Sequence, residues 1–376
     1  MREENSSRRA CSLSNKACFE QALVQSAPPA NDSNLRQLGW KPAFEQQLTT
    51  GDAGALVARV GAHLGSHLLC MTETGTTLLP TSLTAACGEL AVGDWLLLEQ
   101  DSLRGIRRLE RNSLIARKAA GERVKTQLIA ANIDTLFIVS SCNQELSLSR
   151  LERYLALAFA AEVHPIVVLT KADLCDSPDQ LRQQVTSLKR DLLVETMDAR
   201  DPAQVGVLTN WCREGQTVAL VGSSGVGKST LAMSLGAPAL AVQDIRQDDA
   251  KGRHTTTARW IHRLHAGGLL VDTPGMRELQ LAECESGLTE VFDDVFVLAE
   301  QCRFRDCSHQ SEPDCAVQAA IQSGELPARR LNSFLKLQAE QARNAKLLHE
   351  LHQESRKQGQ FFKSVMSAKR KRMRGE

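Results

Sequence analysis

The stretch GSSGVGKST at residues 222–230 follows the apolar run TVALV and matches the phosphate-binding pattern G-x-x-x-x-G-K-[ST] in full. Its glycines allow backbone amides to approach phosphate oxygens. We expect Lys228 to act as a catalytic cation that reaches the β- and γ-phosphates, and the Ser229 hydroxyl to bind Mg²⁺. The pattern predicts that every residue of the loop contacts nucleotide: Gly222, Ser223, Ser224, Gly225, Val226, Gly227, Lys228, Ser229 and Thr230.

Around this loop, apolar runs alternate with segments of helical periodicity. The segment 148–162 places Leu151, Leu155 and Ala158 on one helical face. The alternation predicts a doubly wound α/β domain. Its predicted strands are 135–141, 165–170, 192–196, 217–222 and 268–273.

A second motif, VVLTKADL at residues 167–174, ends one of these strands. Its TKAD element fits the [NT]-K-x-D pattern of GTPases. The Asp173 carboxylate would accept hydrogen bonds from guanine N1–H and the 2-amino group, while the stem of Lys171 packs along the base. After the next strand, Asp198 and Ala199 supply a base-edge loop. The predicted base-recognition residues are Thr170, Lys171, Ala172 and Asp173.

Two further elements complete a GTPase set. VDTPG ends the last predicted strand, so Asp272 can hold Mg²⁺ through water and the Gly275 amide can sense the γ-phosphate. KGRHTTTAR lies between the phosphate loop and VDTPG, where a switch loop should supply a magnesium-binding threonine. We favour Thr256, with Thr255 and Thr257 as close competitors.

The order of these elements is the usual GTPase order rotated, because base recognition precedes the phosphate loop. The rotation leaves the site intact, since loops at the carboxyl ends of parallel strands converge on one crevice. The D-x-x-G element is followed by Met276, whose thioether cannot orient water, so intrinsic hydrolysis should be slow. His254 is the best local candidate to orient the attacking water.

A cluster of cysteine and histidine has the spacing C-x₄-C-x-H-x₅-C. The chain has eleven cysteines, an odd number, and no recognisable signal peptide, so we expect reduced thiols. Three thiolates and one imidazole suit one structural Zn²⁺ per chain, with no open catalytic position. The predicted ligands are Cys302, Cys307, His309 and Cys315.

The overall charge does not recruit nucleic acid, because the 376 residues carry a formal net charge of only +1. Local basic clusters occupy 104–125 and the C-terminal SAKRKRMRGE at 367–376, and each reads equally as a solvated segment or a binding patch. No run of about 18 apolar residues suggests a membrane span. We therefore expect a cytoplasmic protein with no membrane partner.

The chain divides into four predicted regions. Residues 1–33 read as a flexible leader. Short β-type runs at 55–61, 67–73, 94–100 and 106–112 predict that 34–125 forms a small all-β barrel or sandwich, with an OB-fold as first choice and a purely structural β-domain as the alternative. The GTPase domain is expected at 126–280, and a zinc-binding helical domain with a basic tail at 281–376, including a long polar helix after Pro327.

Taken together, these motifs resemble the circularly permuted GTPases of the RsgA (YjeQ) type. The resemblance covers most of the chain from about 35 onward and includes RKAAG, RLERYLALA, VVLTKADL, GSSGVGKST, GRHTTTAR, VDTPGMREL and CRFRDCSH. It implies an N-terminal OB domain, a permuted GTPase core and a zinc-containing C-terminal helical domain. Two residues depart from the family pattern: Thr170 stands where Asn is usual, and Asp198 stands where Ser commonly precedes the base-edge alanine.

The function that this resemblance implies is GTP hydrolysis coupled to late assembly of the bacterial small (30S) ribosomal subunit. Expected partners are GTP or GDP, the subunit and its rRNA, with Mg²⁺ accompanying GTP and the protein acting as a monomer. One rival is a P-loop ATPase or small-molecule kinase, against which Asp173 argues. The other is an RNA-binding module that merely retains nucleotide.

Overall fold

The structure is a computed structural model that describes residues 35–118, 126–143, 146–238, 259–272 and 284–343. Its strands are β1 (Leu56–Leu64), β2 (His67–Thr72), β3 (Gly75–Pro80), β4 (Trp95–Leu98), β5 (Gly105–Arg108), β6 (Leu114–Lys118), β7 (Thr126–Ala131), β8 (Thr135–Ser141), β9 (His164–Thr170), β10 (Leu193–Thr196), β11 (Thr217–Val221), β12 (Trp260–Arg263) and β13 (Leu269–Asp272). Its α-helices are α1 (Pro42–Glu45), α2 (Leu148–Ala160), α3 (Pro178–Thr186), α4 (Pro202–Val205), α5 (Lys228–Ser234), α6 (Glu285–Val291), α7 (Asp293–Ala299), α8 (Ala316–Ser323) and α9 (328–343).

Five parallel strands, in the order β10, β9, β8, β11 and β13, form the centre of an α/β core, and β12 joins its edge antiparallel to β13. Alternate residues of β8 enter opposite cores. Leu136 lies in the same cluster as Leu155 of α2, whereas Phe137 lies in the same cluster as Leu231 of α5. Because both faces of the sheet are buried under helices, the core is doubly wound, which confirms the predicted α/β class.

The N-terminal part is built from β1 to β7, all of them antiparallel in their pairing. It has a core of its own that includes Val60, Leu68 and Leu96. Its all-β character agrees with the prediction, although β3, β6 and β7 were not anticipated, and closure as an OB barrel stays a prediction. The predicted domain limit at 125 lies between β6 and β7, which pair with each other.

The β-sheets of the two parts are continuous, because β1 pairs with β12 at Ala62 and Trp260. Arg59 of β1 strengthens this junction. Its fully buried guanidinium donates to the Thr217 hydroxyl at 3.0 Å and to the Asn132 carbonyl at 3.2 Å, and lies 5.4 Å from the Trp95 ring centroid. Burial lowers the pKa of Arg59 to about 10, which leaves the cation intact at neutral pH.

The C-terminal helices pack against α2 of the α/β core. The crossing with α6 is so close that a Cβ added to Gly287 would lie 1.9 Å from the Ala156 carbonyl oxygen. One buried ion pair joins the two parts, because Arg330 of α9 donates to Glu152 of α2 at 2.9 Å; within the C-terminal part Arg330 also donates to Asp294 at 3.0 Å. The predicted helix after Pro327 is therefore present as α9. Among the described helices, none combines the length and the apolar character that crossing a bilayer requires.

Candidate functional site

The loop between β11 and α5 has the backbone that its glycines allow. Gly222, Gly225 and Gly227 all adopt positive φ, at 149°, 76° and 95°. At Gly222 any side chain is excluded, because an added Cβ would lie 2.1 Å from the Val139 carbonyl oxygen on β8. Lys228 folds back across this loop, and its Nζ donates to the carbonyls of Gly222 at 2.8 Å and Ser223 at 2.5 Å. Its ammonium therefore already lies at the mouth of the loop.

The base-recognition strand touches the phosphate loop through Thr170. This residue is fully buried at the end of β9, and its hydroxyl lies 2.5 Å from the Val226 carbonyl oxygen and 3.1 Å from that of Ser140. Lys171 then adopts a left-handed conformation with φ of 57°, and a 3₁₀ turn over Ala172–Leu174 carries Asp173. The hydroxyl of Thr170 thus joins two elements that lie more than fifty residues apart in the chain.

The base-edge loop lies beside both of these elements. The Ala172 amide donates to the Met197 carbonyl at 3.3 Å, and the Ser234 hydroxyl on α5 donates to the Ala199 carbonyl at 2.7 Å. Asp198 and Asp173 share one cation, Arg200, which contacts a carboxylate oxygen of each at 2.8 Å. The hydrogen bonds from Arg200 lower the pKa of Asp198. The three predicted elements therefore lie next to one another at one end of the sheet.

Two site residues were not predicted from the sequence. Arg200 was overlooked, although a basic residue directly after Asp198 and Ala199 was a visible signal. The other is Arg150 in the first turn of α2, whose Nη1 lies 2.5 Å from the Ser223 hydroxyl of the phosphate loop. Arg150 opens the stretch RLERYLALA, which is part of the family resemblance, but the helical periodicity marks it only as an exposed position and gives no sign of a contact with the phosphate loop.

The switch elements lie largely outside the described residues. Those outside are His254, Thr255, Thr256, Thr257, Gly275 and Met276. The backbone of Asp272 is described at the end of β13, which runs parallel to β11 with Val271 opposite Ala219. Asp272 therefore lies at the same edge of the sheet as the phosphate loop, as expected from its place in the sequence.

The four cysteine and histidine residues of the C-terminal part converge. One ligand atom from each of Cys302, Cys307, His309 and Cys315 lies within 4.8 Å of the others. The sulfurs of Cys302 and Cys315 are 3.8 Å apart, and each lies 3.6 Å from the His309 Nδ1. A tetrahedron with Zn–S bonds of about 2.3 Å has edges of about 3.8 Å, so this donor set fits a tetrahedral metal.

A carboxylate shapes the loop that carries these ligands. Glu312 accepts hydrogen bonds from the amides of Ser308, Gln310 and Ser311 at 2.9, 3.0 and 3.1 Å, and from the Ser308 hydroxyl at 2.5 Å. These bonds, led by the Ser308 hydroxyl, lower the pKa of Glu312 to about 2. Cys284 lies apart from the cluster, and burial raises the pKa of its thiol to about 12.

The basic cluster at 104–125 is partly neutralised by its own neighbours. Arg107 pairs with Asp52 at 2.8 Å, and Arg111 pairs with the buried Asp94 at 2.7 Å. Arg104 is exposed. The described part of the cluster therefore offers less free positive charge than its composition suggests.

The chain matches the RsgA GTPase family over residues 108–282. It is 53% identical to the small ribosomal subunit biogenesis GTPase RsgA 2 of Vibrio parahaemolyticus, over 94% of this chain and 97% of that protein. It is 45% identical to the small ribosomal subunit biogenesis GTPase RsgA of Mesorhizobium japonicum, over 85% of this chain and 93% of that one.

Solved structures show the same fold. YjeQ from Thermotoga maritima matches 77% of this chain and 99% of its own, with a TM-score of 0.56 and 24% identity. YloQ, described as a circularly permuted GTPase, matches 78% of this chain and 98% of its own, with a TM-score of 0.54 and 21% identity. Together with the family match and the high identity to the two relatives, the rotated order of the site elements has one explanation: the chain belongs to the RsgA GTPase family.

Proposed function

We propose that this protein hydrolyses GTP to GDP and phosphate, and that hydrolysis is coupled to late maturation of the small ribosomal subunit with contacts to its rRNA. The names of its relatives from Vibrio parahaemolyticus and Mesorhizobium japonicum describe such a role for them. The observation that carries the proposal is the pair of contacts Thr170–Val226 and Ser234–Ala199, which bring base recognition, base edge and phosphate loop to one crevice.

Each part of the crevice has a proposed task. Asp173 accepts hydrogen bonds from guanine, which selects GTP over ATP. Lys228 exchanges the carbonyls of Gly222 and Ser223 for phosphate oxygens, a favourable exchange because charge-assisted hydrogen bonds are stronger than those to neutral acceptors. Bound Mg²⁺ would neutralise phosphate charge, with Ser229 and Thr256 as its ligands and Asp272 holding it through water.

The attacking water is assigned to His254, because Met276 cannot orient it. We propose that the small subunit activates hydrolysis by ordering the loop around this histidine. Exposed Arg104 and the basic tail at 367–376 would contact rRNA phosphates, while Arg107 and Arg111 stay bound to their acidic partners.

The cysteine and histidine cluster is proposed to hold one structural Zn²⁺ through Cys302, Cys307, His309 and Cys315. The fit of the donor set to a tetrahedron supports this assignment. The domain limits at 33, 125 and 280, the monomeric state and the cytoplasmic location are proposed as the sequence suggested them.

The test is GTP turnover with and without purified small ribosomal subunits. We expect the subunits to raise turnover at least tenfold, and added salt to weaken the effect because phosphate contacts are salt-dependent. His254→Ala should keep GDP binding and lose most of the stimulated turnover. His164→Ala, which removes an exposed histidine at the opposite end of β9, is the matched control.

Three outcomes separate the parts of this proposal. Absence of stimulation by any ribosomal particle would overturn the coupling to the subunit. Unchanged stimulated turnover in His254→Ala would remove the histidine from the reaction. Equal competition by ATP and GTP for the site would favour the rival ATPase or kinase.

A further inference from the structure

Arg200 forms a bridge between the two carboxylates of the base crevice. Its Nε lies 2.9 and 3.2 Å from the two oxygens of Asp198, and its Nη2 lies 2.8 Å from Oδ2 of the same residue. The Arg200 amide also donates to Asp198 Oδ1 at 2.9 Å. The guanidinium, although 68% exposed, is thus bound to Asp198 by several hydrogen bonds, and from there its Nη2 reaches Asp173 Oδ2 at 2.8 Å.

This bridge has an electrostatic reason. A serine before the base-edge alanine could donate its hydroxyl proton to the Asp173 carboxylate, whereas an ionised aspartate can only accept. Asp198 therefore places a second negative charge beside the carboxylate that must recognise guanine, and the two would repel each other without a cation between them. Hydrogen bonds from Arg200 lower the pKa of Asp198, so this residue stays ionised at neutral pH.

The bridge is compatible with a bound base. An ionised carboxylate has about four lone-pair positions, and Arg200 uses one of those on Asp173. The remaining positions can accept guanine N1–H and the 2-amino group. The backbone on both sides is held as well, because the Ser234 hydroxyl bonds to the Ala199 carbonyl and the Asp198 amide donates to Gln204 Oε1.

We propose that Arg200 is a positioning residue for guanine recognition: anchored by Asp198, it orients the Asp173 carboxylate towards the base and replaces the hydroxyl donor that a serine at 198 would supply. This inference rests on the proposed function in that it takes a guanine nucleotide as the ligand. It predicts that Arg200 matters only because residue 198 is an acid.

The experiment measures binding of GDP, inosine diphosphate and ADP to the full-length protein by competition with a fluorescent GDP analogue. Inosine keeps N1–H and lacks the 2-amino group. The ratio of GDP affinity to inosine diphosphate affinity therefore reports how well Asp173 accepts the hydrogen bond from the 2-amino group. Arg200→Ala should weaken GDP binding about tenfold and inosine diphosphate binding about twofold to threefold. In turnover, KM for GTP should rise while kcat stays within about twofold.

Variants of residue 198 provide the decisive comparison. Asp198→Ser should bind GDP within about threefold of the unmodified protein, and the double variant Asp198→Ser/Arg200→Ala should bind nearly as well as Asp198→Ser alone. Arg200→Lys should restore only part of the affinity, because a single ammonium cannot reproduce the forked contact with both acids. Arg213→Ala removes an exposed arginine bound to Asn210 and controls for the change in net charge.

The outcomes are distinguishable from failure of the proposed function. If the unmodified protein does not prefer GDP to ADP, the proposed function itself is wrong. If it prefers GDP but Arg200→Ala leaves both the affinity and the GDP to inosine diphosphate ratio unchanged, the positioning role is overturned. Tighter GDP binding by Arg200→Ala would also overturn it, since Arg200 would then be obstructing the site. An equal loss on Arg200→Ala in both backgrounds would show that the effect does not depend on Asp198.

Discussion

Replacing Arg330 by methionine should loosen the C-terminal helices from the α/β core. The Arg330 side chain is 4% exposed, and the Glu152 side chain that it contacts at 2.9 Å is fully buried. In the described structure, Glu152 Oε2 already lacks a hydrogen-bond partner. Removing the guanidinium leaves this carboxylate with Arg329, which is 40% exposed, as its remaining cation. Breaking a buried ion pair on one side costs about 3–5 kcal/mol.

Replacing Glu152, the other member of the pair, should lower the opening free energy of the C-terminal part by less than replacing Arg330. In Glu152→Gln the shape is kept, and Arg330 retains Asp294 at 3.0 Å and the Val291 carbonyl at 2.6 Å. The glutamine oxygen can still accept from Arg330, so only the charge on the acceptor is lost, which is worth about 1–2 kcal/mol. The double variant, Arg330→Met with Glu152→Gln, keeps neither charge of the buried pair. Its loss of opening free energy should therefore be smaller than the sum of the two single losses by about 1–3 kcal/mol.

Hydrogen exchange measured by mass spectrometry is the suitable assay, because it gives the opening free energy of each part separately. Peptides from 285–343 should lose protection, while those from β8 and β11 should not. Arg343→Met removes an exposed guanidinium from the same helix and should change protection by less than about 0.5 kcal/mol. Additive losses in the double variant, or a loss below about 1 kcal/mol in Arg330→Met, would refute the reasoning.

Two further perturbations test the metal cluster and a buried histidine. Cys307→Ser, or a strong chelator, should release about one zinc per chain and abolish the hydrogen-exchange protection of 302–323, while GDP binding stays intact. The reason is that structural zinc can supply on the order of 10 kcal/mol of folding free energy. Retained protection after complete zinc loss would contradict the structural role of the metal. Burial lowers the pKa of His262 to about 4, and its Nε2 has no hydrogen-bond partner in the described structure. The unfolded chain therefore takes up the proton on this residue first as pH falls, and His262 should by itself reduce the free energy of unfolding by about 2 kcal/mol between pH 7 and pH 5. Chemical denaturation at pH 7 and pH 5 should show a smaller decrease in the free energy of unfolding for His262→Gln than for the unmodified protein. An identical pH dependence of the variant and the unmodified protein would argue against this role of His262.

The α/β core was predictable because its signals are local. The apolar runs at 165–170 and 217–222 end at motifs whose residue types have few other uses, and the structure places strands there. Strand β3 was missed because GTTLLP has no clear alternation and is stabilised by pairing with β2 along its whole length. Such pairing depends on the partner strand more than on the segment itself.

The contacts between distant side chains could not be predicted in the same way. The sequence shows that arginines are abundant in 104–125, but whether Arg107 binds rRNA or Asp52 depends on a turn more than fifty residues earlier. The bridge from Arg200 to Asp173 likewise requires two loops to meet at the sheet edge. The candidate metal ligands were an exception, because all four lie within fourteen consecutive residues and their spacing restricts how far apart they can be.

Strand β12 links the two parts within one continuous sheet, since it pairs with β13 of the α/β core on one side and with β1 of the N-terminal part on the other. In the sequence it also follows the segment with the predicted switch threonines, and Arg259, just before it, donates to the Leu128 carbonyl on β7. A displacement of β12 is therefore shared by both parts. Thermodynamic reciprocity then applies: any partner that binds the N-terminal strands more tightly when GTP is present must raise the affinity for GTP by the same factor. Measuring nucleotide affinity alone would then report on a partner bound at the far end of the sheet.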